Sequence, residues 1–143
     1  MQKIILASTL LISLLSCEVN VKRTTRNPFL EKMGSAFIDN LYNRRYQKCI
    51  ASMDDTVKAV SKDINLDSVF VTISDKLRND FGGEVRSTFI SSEKTYYEKF
   101  PSTLLIFKVE SMNIFGYHFF YINDRSNKIL LFSEFSRRSQ KQI

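Results

Sequence analysis

Apolar residues in the first half of the chain recur every three or four positions, which is the spacing of helices with one buried face. The first such stretch follows Asn27 and Pro28, residues that are typical of a helix start, and it predicts a helix that ends near residue 44. A second helix is predicted over residues 46–53, and Asp54-Asp55 begins a further short turn.

The last predicted helix starts near Asn65, because an apolar stripe follows it at helical spacing. Gly82-Gly83 ends this helix, since glycine commonly follows the last helical residue. The β-branched residues within 69–73 also fit a strand, which is the alternative interpretation of this segment. The stripe consists of Val69, Phe70, Ile73, Leu77 and Phe81.

After Gly83 the apolar residues alternate with polar ones, which is the pattern of strands. Strands are predicted over residues 84–91, 104–110, 115–122 and 129–135, and residues 94–100 extend the first strand or begin the next hairpin. Pro101 is predicted to break this run, and residues 123–127 form a turn. Helices followed by consecutive strands predict an α+β fold, with N-terminal helices packed on a curved, cone-like antiparallel sheet of about four strands.

The first sixteen residues differ from the rest of the chain. A short cationic start is followed by an uncharged apolar run over residues 4–16, which is shorter than the roughly 20 residues that a membrane-spanning helix needs. Its proportions are those of a secretory signal. The run ends in Leu14-Leu15-Ser16-Cys17, which resembles the lipobox of bacterial lipoprotein signal peptides. The alternative is an ordinary secretory signal followed by a structural cysteine.

The lipoprotein resemblance implies cleavage before Cys17 and acyl chains on that cysteine, which anchor the chain in membrane lipid without spanning it. Residues 1–16 are then a signal peptide, 17–28 a lipidated cysteine and tether, 29–135 one α+β domain, and 136–143 a basic tail that frays. The resemblance implies the bacterial cell envelope. Glu18, in place of the Asp that marks inner-membrane retention in some bacteria, favours the outer membrane.

The order of the elements, with Asn43-Arg44-Arg45-Tyr46 on a short helix and Phe81-Gly82-Gly83 at the end of another, resembles the nuclear transport factor 2-like and cystatin-like folds. It is similar to small bacterial lipoproteins of unknown function that use such a fold. Enzymes of that superfamily place an Asp–His or Asp–Tyr pair inside the cone. The single histidine here is His118, and Asp39 and Asp67 are the candidate acids.

The sequence does not place these acids against His118, so no catalytic residue is assigned. The alternative for His118 is a neutral, hydrogen-bonded ring in or beside the core. Residues 96–135 hold 11 of the 18 aromatic residues, which we expect to form the bulky core. Alternatively, their tyrosines line an apolar groove. The candidate pocket residues are His118, Tyr96, Tyr117 and Tyr121.

The composition of the chain excludes several kinds of catalytic and metal site. The 143 residues, 43% of them hydrophobic, suffice for one packed domain. The chain has no glycine-rich phosphate loop or Gly-x-Ser-x-Gly motif, and one histidine with two cysteines is too little for a transition-metal site. No cofactor, metal or catalytic residue is therefore predicted. Cys49 has no partner once Cys17 is acylated, and it is a buried hydrophobe, a reactive thiol or an intermolecular disulfide partner.

The net charge of +6 is concentrated in residues 22–48 and 124–143, which carry +5 and +3. Beside a lipid anchor these cations meet anionic headgroups, or else they form a solvated face. Nucleic acid is not an expected partner of an exported protein.

These observations predict a non-enzymatic binding or interaction module of the envelope, whose sheet receives a small apolar ligand or an envelope protein. The alternative is an accessory or structural subunit of an envelope complex that uses a sheet edge or Cys49 as its contact. A third hypothesis is a cone-fold hydrolase or isomerase that uses His118.

Overall fold

The computed structural model describes residues 26–112 and 114–138, with no side-chain description for 136–138, and the predictions for residues 1–25, including Cys17, lie outside this part of the chain. Within it, helices precede an antiparallel sheet, which confirms the predicted α+β fold. The helices are α1 (Pro28–Tyr42), α2 (Tyr46–Ser52), α3 (Asp55–Val60) and α4 (Leu66–Phe81). The strands are β1 (Arg86–Tyr97), β2 (Phe100–Ser111), β3 (Ile114–Asn123) and β4 (Lys128–Arg138).

Side-chain caps start three of the helices, as their sequences predict. The Asn27 side chain accepts hydrogen bonds from the backbone N–H groups of Phe29 and Leu30 at the start of α1. Asn65 caps α4 and Asp54 caps α3 in the same way. Helix α4 ends at Gly82, whose φ of 83° favours glycine. Residues 69–73 are helical, so the alternative interpretation of this segment as a strand is wrong.

The strands pair in the order β1-β2-β3-β4 and extend further than their predicted bounds. Pro101 does not break the run, because it is the second residue of β2 and lies opposite Tyr96. The turn falls instead at Glu98 and Lys99, with Glu98 at a φ of 51°. At the other end, β4 continues to Arg138, so the predicted tail that starts at residue 136 begins too early.

The helices pack on one face of the sheet, which we call the inner face. Helix α1 lies against β1 and β2, and α4 lies against β3. The space between the layers is filled by rings in edge contact, with ring centroids 5.4 Å apart for Phe37 and Phe120 and 5.7 Å apart for Phe107 and Phe120. The helix approaches the sheet closely at Gly34, where a Cβ atom would lie 2.5 Å from Phe107 Cε2.

The opposite face of the sheet, the outer face, is also rich in aromatic residues. Because side chains alternate along a strand, His118, Phe120 and Ile122 of β3 point to the inner face, and Tyr117, Phe119 and Tyr121 point to the outer face. The outer-face residues do not belong to the core cluster and do not pack against it. Its large apolar members are Tyr97, Phe100, Leu104, Ile106, Phe115, Tyr117, Phe119, Tyr121, Leu131 and Phe135.

The expectation that the aromatic strands form the core is therefore wrong for most of these residues. Among the phenylalanine and tyrosine residues of β1, β2 and β3, only Phe107 and Phe120 are fully buried. The helices supply Phe37, Phe70 and Phe81 to the core instead. A sheet with one covered face buries only half of the residues of each strand.

Candidate functional site

His118 lies at the centre of the inner face and has no solvent exposure. It pairs in register with Phe107 on β2 and with Glu134 on β4, so these three side chains share a face. The imidazole stacks on Tyr42 of α1 at a centroid distance of 6.1 Å. The edges of two phenylalanine rings, Phe81 and Phe132, complete its surroundings.

The polar contacts of His118 are sparse. Its Nε2 lies 3.3 Å from the Tyr42 hydroxyl, which donates to the ring or accepts from it according to the tautomer. Among the described residues Nδ1 has no hydrogen bond of ordinary geometry, although the Tyr117 backbone lies close enough to favour the protonated ring. Burial outweighs that effect and lowers the pKa of His118 to about 4.

Tyr42 is held neutral as well. Burial raises the pKa of its hydroxyl, and the carboxylates of Glu134 and Asp80 raise it further. At neutral pH the Tyr42–His118 pair is therefore an uncharged hydrogen bond within the core. Both side chains are buried, because Tyr42 is 2% exposed and His118 is fully covered.

Neither candidate acid contacts His118. The Asp39 carboxylate accepts a hydrogen bond from Asn43 at 2.8 Å and pairs with Arg45 at 3.3 Å. Asp67 accepts from the amide of Gln47 at 2.9 Å, at the start of α4. The structure therefore does not form the acid–base pair that the superfamily resemblance implies.

The carboxylate nearest in register to His118 belongs to Glu134, which the sequence analysis did not single out. Glu134 forms an ion pair with Lys76 of α4 across the two layers. The register of β3 against β4 contains a bulge between Tyr121 and Ile122, and it is this register that brings Glu134 opposite His118. The predicted turn at 123–127 indicates a hairpin but does not specify the bulge.

The four candidate pocket residues do not come together. His118 is on the inner face, and Tyr117 and Tyr121 are on the outer face. Tyr96 lies at the far end of β1, beside the turn to β2, and is 70% exposed. The Tyr121 ring contacts Tyr97 at a centroid distance of 5.2 Å.

A cleft of about 590 Å³ opens between α1 and the segment that leads into β1. Polar groups dominate its wall, including the exposed carboxylates of Asp39 and Glu84. Tyr42 lines this cleft, and its hydroxyl oxygen lies 3.3 Å from His118 Nε2. The cleft is therefore suited to a polar molecule. The lining residues are Ser35, Ile38, Asp39, Tyr42, Asn43, Gly83, Glu84, Val85 and Ser87.

Cys49 is part of the core and has no solvent exposure. Its thiol lies 3.9 Å from the Phe37 carbonyl oxygen, and burial raises the pKa of the thiol to about 12. Of the three interpretations of this residue, the geometry favours a buried hydrophobe. An intermolecular disulfide requires an accessible sulfur, so the folded domain does not present Cys49 as a contact.

Within residues 26–112 and 114–138, no group of three or more acidic, histidine or cysteine side chains is placed to hold a metal ion. The same part of the chain includes no helix of the length and hydrophobicity needed to cross a membrane. Comparison with known protein families, with curated proteins and with solved structures finds no match. The lipoprotein and superfamily resemblances therefore stay predictions from the sequence.

Proposed function

We propose that this chain is a lipid-anchored, non-enzymatic interaction module of the bacterial envelope and that the outer face is its contact surface. One observation carries the proposal. Ten large apolar residues cover the outer face, and none of them takes part in the core. Solvent-facing sheets normally alternate apolar and polar residues, so a sheet that is aromatic on both faces has more apolar surface than its fold requires.

The inner face supports the same conclusion, because its own side chains fill the space between the sheet and the helices. The rings of Phe37, Phe107, Phe120 and Phe132 contact one another within 5.2–5.7 Å and occupy the space that a small apolar ligand would need. The cleft beside α1 is polar instead. An extended surface, rather than an enclosed ligand, is therefore the better partner for the apolar residues of this protein.

The surroundings of His118 support a non-catalytic role. A general acid or base needs contact with its substrate and a pKa near the working pH. His118 is sealed beneath Tyr42, and its pKa of about 4 keeps it neutral. The ring acts as a polar core residue that orients Tyr42.

The anchor is tested by labelling cells with a fatty-acid analogue. We expect the wild type to incorporate the label and the Cys17→Ala variant not to, since Cys17 carries the acyl chains. Membrane fractionation of both forms measures the consequence. Equal labelling, or equal membrane retention, contradicts the anchored part of the proposal.

The contact surface is tested by placing a photo-crosslinking amino acid at Phe119, in the middle of the outer face, in the native host. We expect a defined adduct at this position and a much weaker one from the matched probe at Val69, a 39% exposed residue on α4. The Phe119 adduct should weaken when Tyr121→Ser removes a neighbouring ring. Adducts of equal yield at both probes contradict the assignment of the face.

A second candidate function, an accessory subunit of an envelope complex, is favoured by the edge of β1. This strand has 12 residues and, in the described part of the chain, pairs only with β2. The other edge is partly covered, because Met53 bridges to Ile129 of β4. An open edge accepts a partner strand. Stoichiometric co-purification after mild crosslinking, lost on a Thr95→Pro change in β1 and kept on Tyr121→Ser, favours this function.

A further inference from the structure

One end of the outer face combines cations with exposed apolar residues. Two neighbouring rows of the sheet meet there, at the start of β1 and the end of β4. We call this region the basic aromatic corner and define it by Arg86, Lys108, Met112, Phe115, Tyr117 and Phe135. The rows run Arg86–Glu110–Phe115–Arg137 and Thr88–Lys108–Tyr117–Phe135 in the register of the four strands.

Two apolar residues of the corner are exposed to solvent, and the other two are half-buried. Met112, between β2 and β3, is 96% exposed and Phe135 is 57% exposed. Lys108 lies over the Phe115 ring, with Nζ 5.6 Å from the centroid, and pairs with Glu110. This cation–π contact places the Lys108 ammonium group directly beside the apolar residues of the corner.

The corner has a net positive charge, in contrast to the middle of the outer face. The two rows contain three basic residues, Arg86, Lys108 and Arg137, and one acidic residue, Glu110. The next two rows carry no cation, and their single charged residue is Glu93. These rows are Ser91–Ile106–Phe119–Ser133 and Glu93–Leu104–Tyr121–Leu131.

The length of the segment that precedes the described residues limits the distance between the domain and a membrane. Nine residue steps separate Cys17 from Arg26, so the first described residue lies within about 30 Å of an acylated Cys17. The tether itself contains Lys22 and Arg23.

We infer that the basic aromatic corner docks on the surface of a bilayer that contains anionic phospholipid. The inference rests on the proposed function and names the partner of one end of its contact surface. Methionine and phenylalanine side chains enter the boundary between headgroups and acyl chains, and the Tyr117 hydroxyl stays at the headgroups. Arg86 and Lys108 meet the lipid phosphates, and this term requires negative lipid charge.

The test uses the full-length lipidated protein in vesicles, so that the acyl anchor holds it on the membrane in every case. A fluorophore that reports polarity is attached at Met112→Cys, and a matched probe is attached at Val60→Cys, a 79% exposed position at the end of α3. The buried Cys49 does not compete for the label. The vesicles contain phosphatidylcholine alone or phosphatidylcholine with phosphatidylglycerol.

We expect the Met112 probe to shift to shorter wavelength only on vesicles with phosphatidylglycerol, and to be quenched there by acyl-chain nitroxides. The Val60 probe should not respond. Replacing the two cations by Arg86→Gln and Lys108→Gln should lower the docked-to-undocked ratio roughly 30-fold, from about 1 kcal/mol per cation. The matched pair Lys32→Gln and Lys62→Gln removes the same charge from exposed helix-side positions and should change the ratio less than about threefold.

A Met112 probe that reports water on both kinds of vesicle overturns the inference. So does a response that follows the density of protein on the vesicles rather than the lipid charge, because it identifies a second copy of the chain as the occupant. After either result the proposed function is still tested by the Phe119 crosslink, because a defined adduct there identifies a protein partner of the outer face. Loss of both the lipid response and the Phe119 adduct refutes the proposed function as well.

Discussion

Both faces of the sheet carry aromatic residues, but the helices cover only the inner face. On the inner face, rings from helices and strands contact one another and exclude water. On the outer face, rings at the same spacing contact only their neighbours on the sheet and stay half-buried or exposed. His118 of β3 is on the covered side, while Tyr117 and Phe119 flank it on the open side.

This difference shows that hydrophobicity alone does not identify which face of a strand is buried. Residues 115–122 are apolar at nearly every position, so both faces satisfy the requirement for burial. The face that the helices cover becomes core, and the other retains a surface for partners. Three predictions test whether the two faces differ in this way.

The largest effect is expected for the pair Phe120→Ala and Phe119→Ala, which remove a ring from each face at neighbouring positions. Phe120 is fully buried among Phe37, Phe107 and Phe132, so its loss should lower the free energy of unfolding by about 3–5 kcal/mol. Phe119 loses only cross-strand contacts with Ile106 and Ser133, at a cost below about 1 kcal/mol. Urea unfolding measures both, and equal losses would show that the outer face is also covered.

The second effect is a dependence of stability on pH that comes from the inner face. The unfolded chain protonates His118 below about pH 6.5, whereas the folded chain does so only near pH 4. Because the unfolded state binds the proton first, the free energy of unfolding falls as the pH decreases through this window. The full loss from this group is roughly 3 kcal/mol and is complete below about pH 4.

The control for the pH effect replaces the pair by Tyr42→Phe and His118→Phe, so that neither partner is left without its hydrogen bond. Carboxylates also titrate near the lower end of the window, so the measured quantity is the difference between the wild-type and variant curves. We expect the variant to be flatter between pH 6.5 and 4. Parallel curves would show that His118 titrates normally and is therefore open to solvent.

The smallest effect is expected at Gly34, where α1 meets the inner face. Alanine normally stabilises a helix relative to glycine by up to about 1 kcal/mol. Here its Cβ would lie 2.5 Å from Cε2 and 2.8 Å from Cζ of Phe107, so Gly34→Ala should instead lower the melting temperature, at a cost of about 1–3 kcal/mol. Phe107→Leu should couple favourably to this change, since it makes room. Ser35→Ala, at the next and exposed position, should be neutral.

Local features of the fold were predictable because they depend on neighbouring residues. Asn27 and Asn65 cap helices through backbone groups two or three residues away, and Gly82 ends α4 by its own conformation. Strand limits were less predictable. Pro101 pairs within β2 because the turn before it lies at Glu98 and Lys99, and no signal in the glutamate or lysine identifies that turn.

The site was predictable in part. The sequence singled out His118, and its alternation with Tyr117 and Phe119 placed it on the other face from them. The sequence did not identify Tyr42 as its partner, because the two residues are 76 positions apart and meet only when α1 packs on the inner face of the sheet. The position of Glu134 opposite His118 was not predictable either, because it depends on a bulge between β3 and β4.

The sequence by itself determined the α+β architecture, the helix caps and the division of each strand into two sets of side chains. Only the tertiary structure decided which set became core. A strand fixes that neighbouring side chains point to opposite sides, but the free energy of burying either set depends on what covers it. The helices over residues 28–81 cover the side of His118 and Phe120, and this packing leaves Tyr117, Phe119 and Tyr121 as surface.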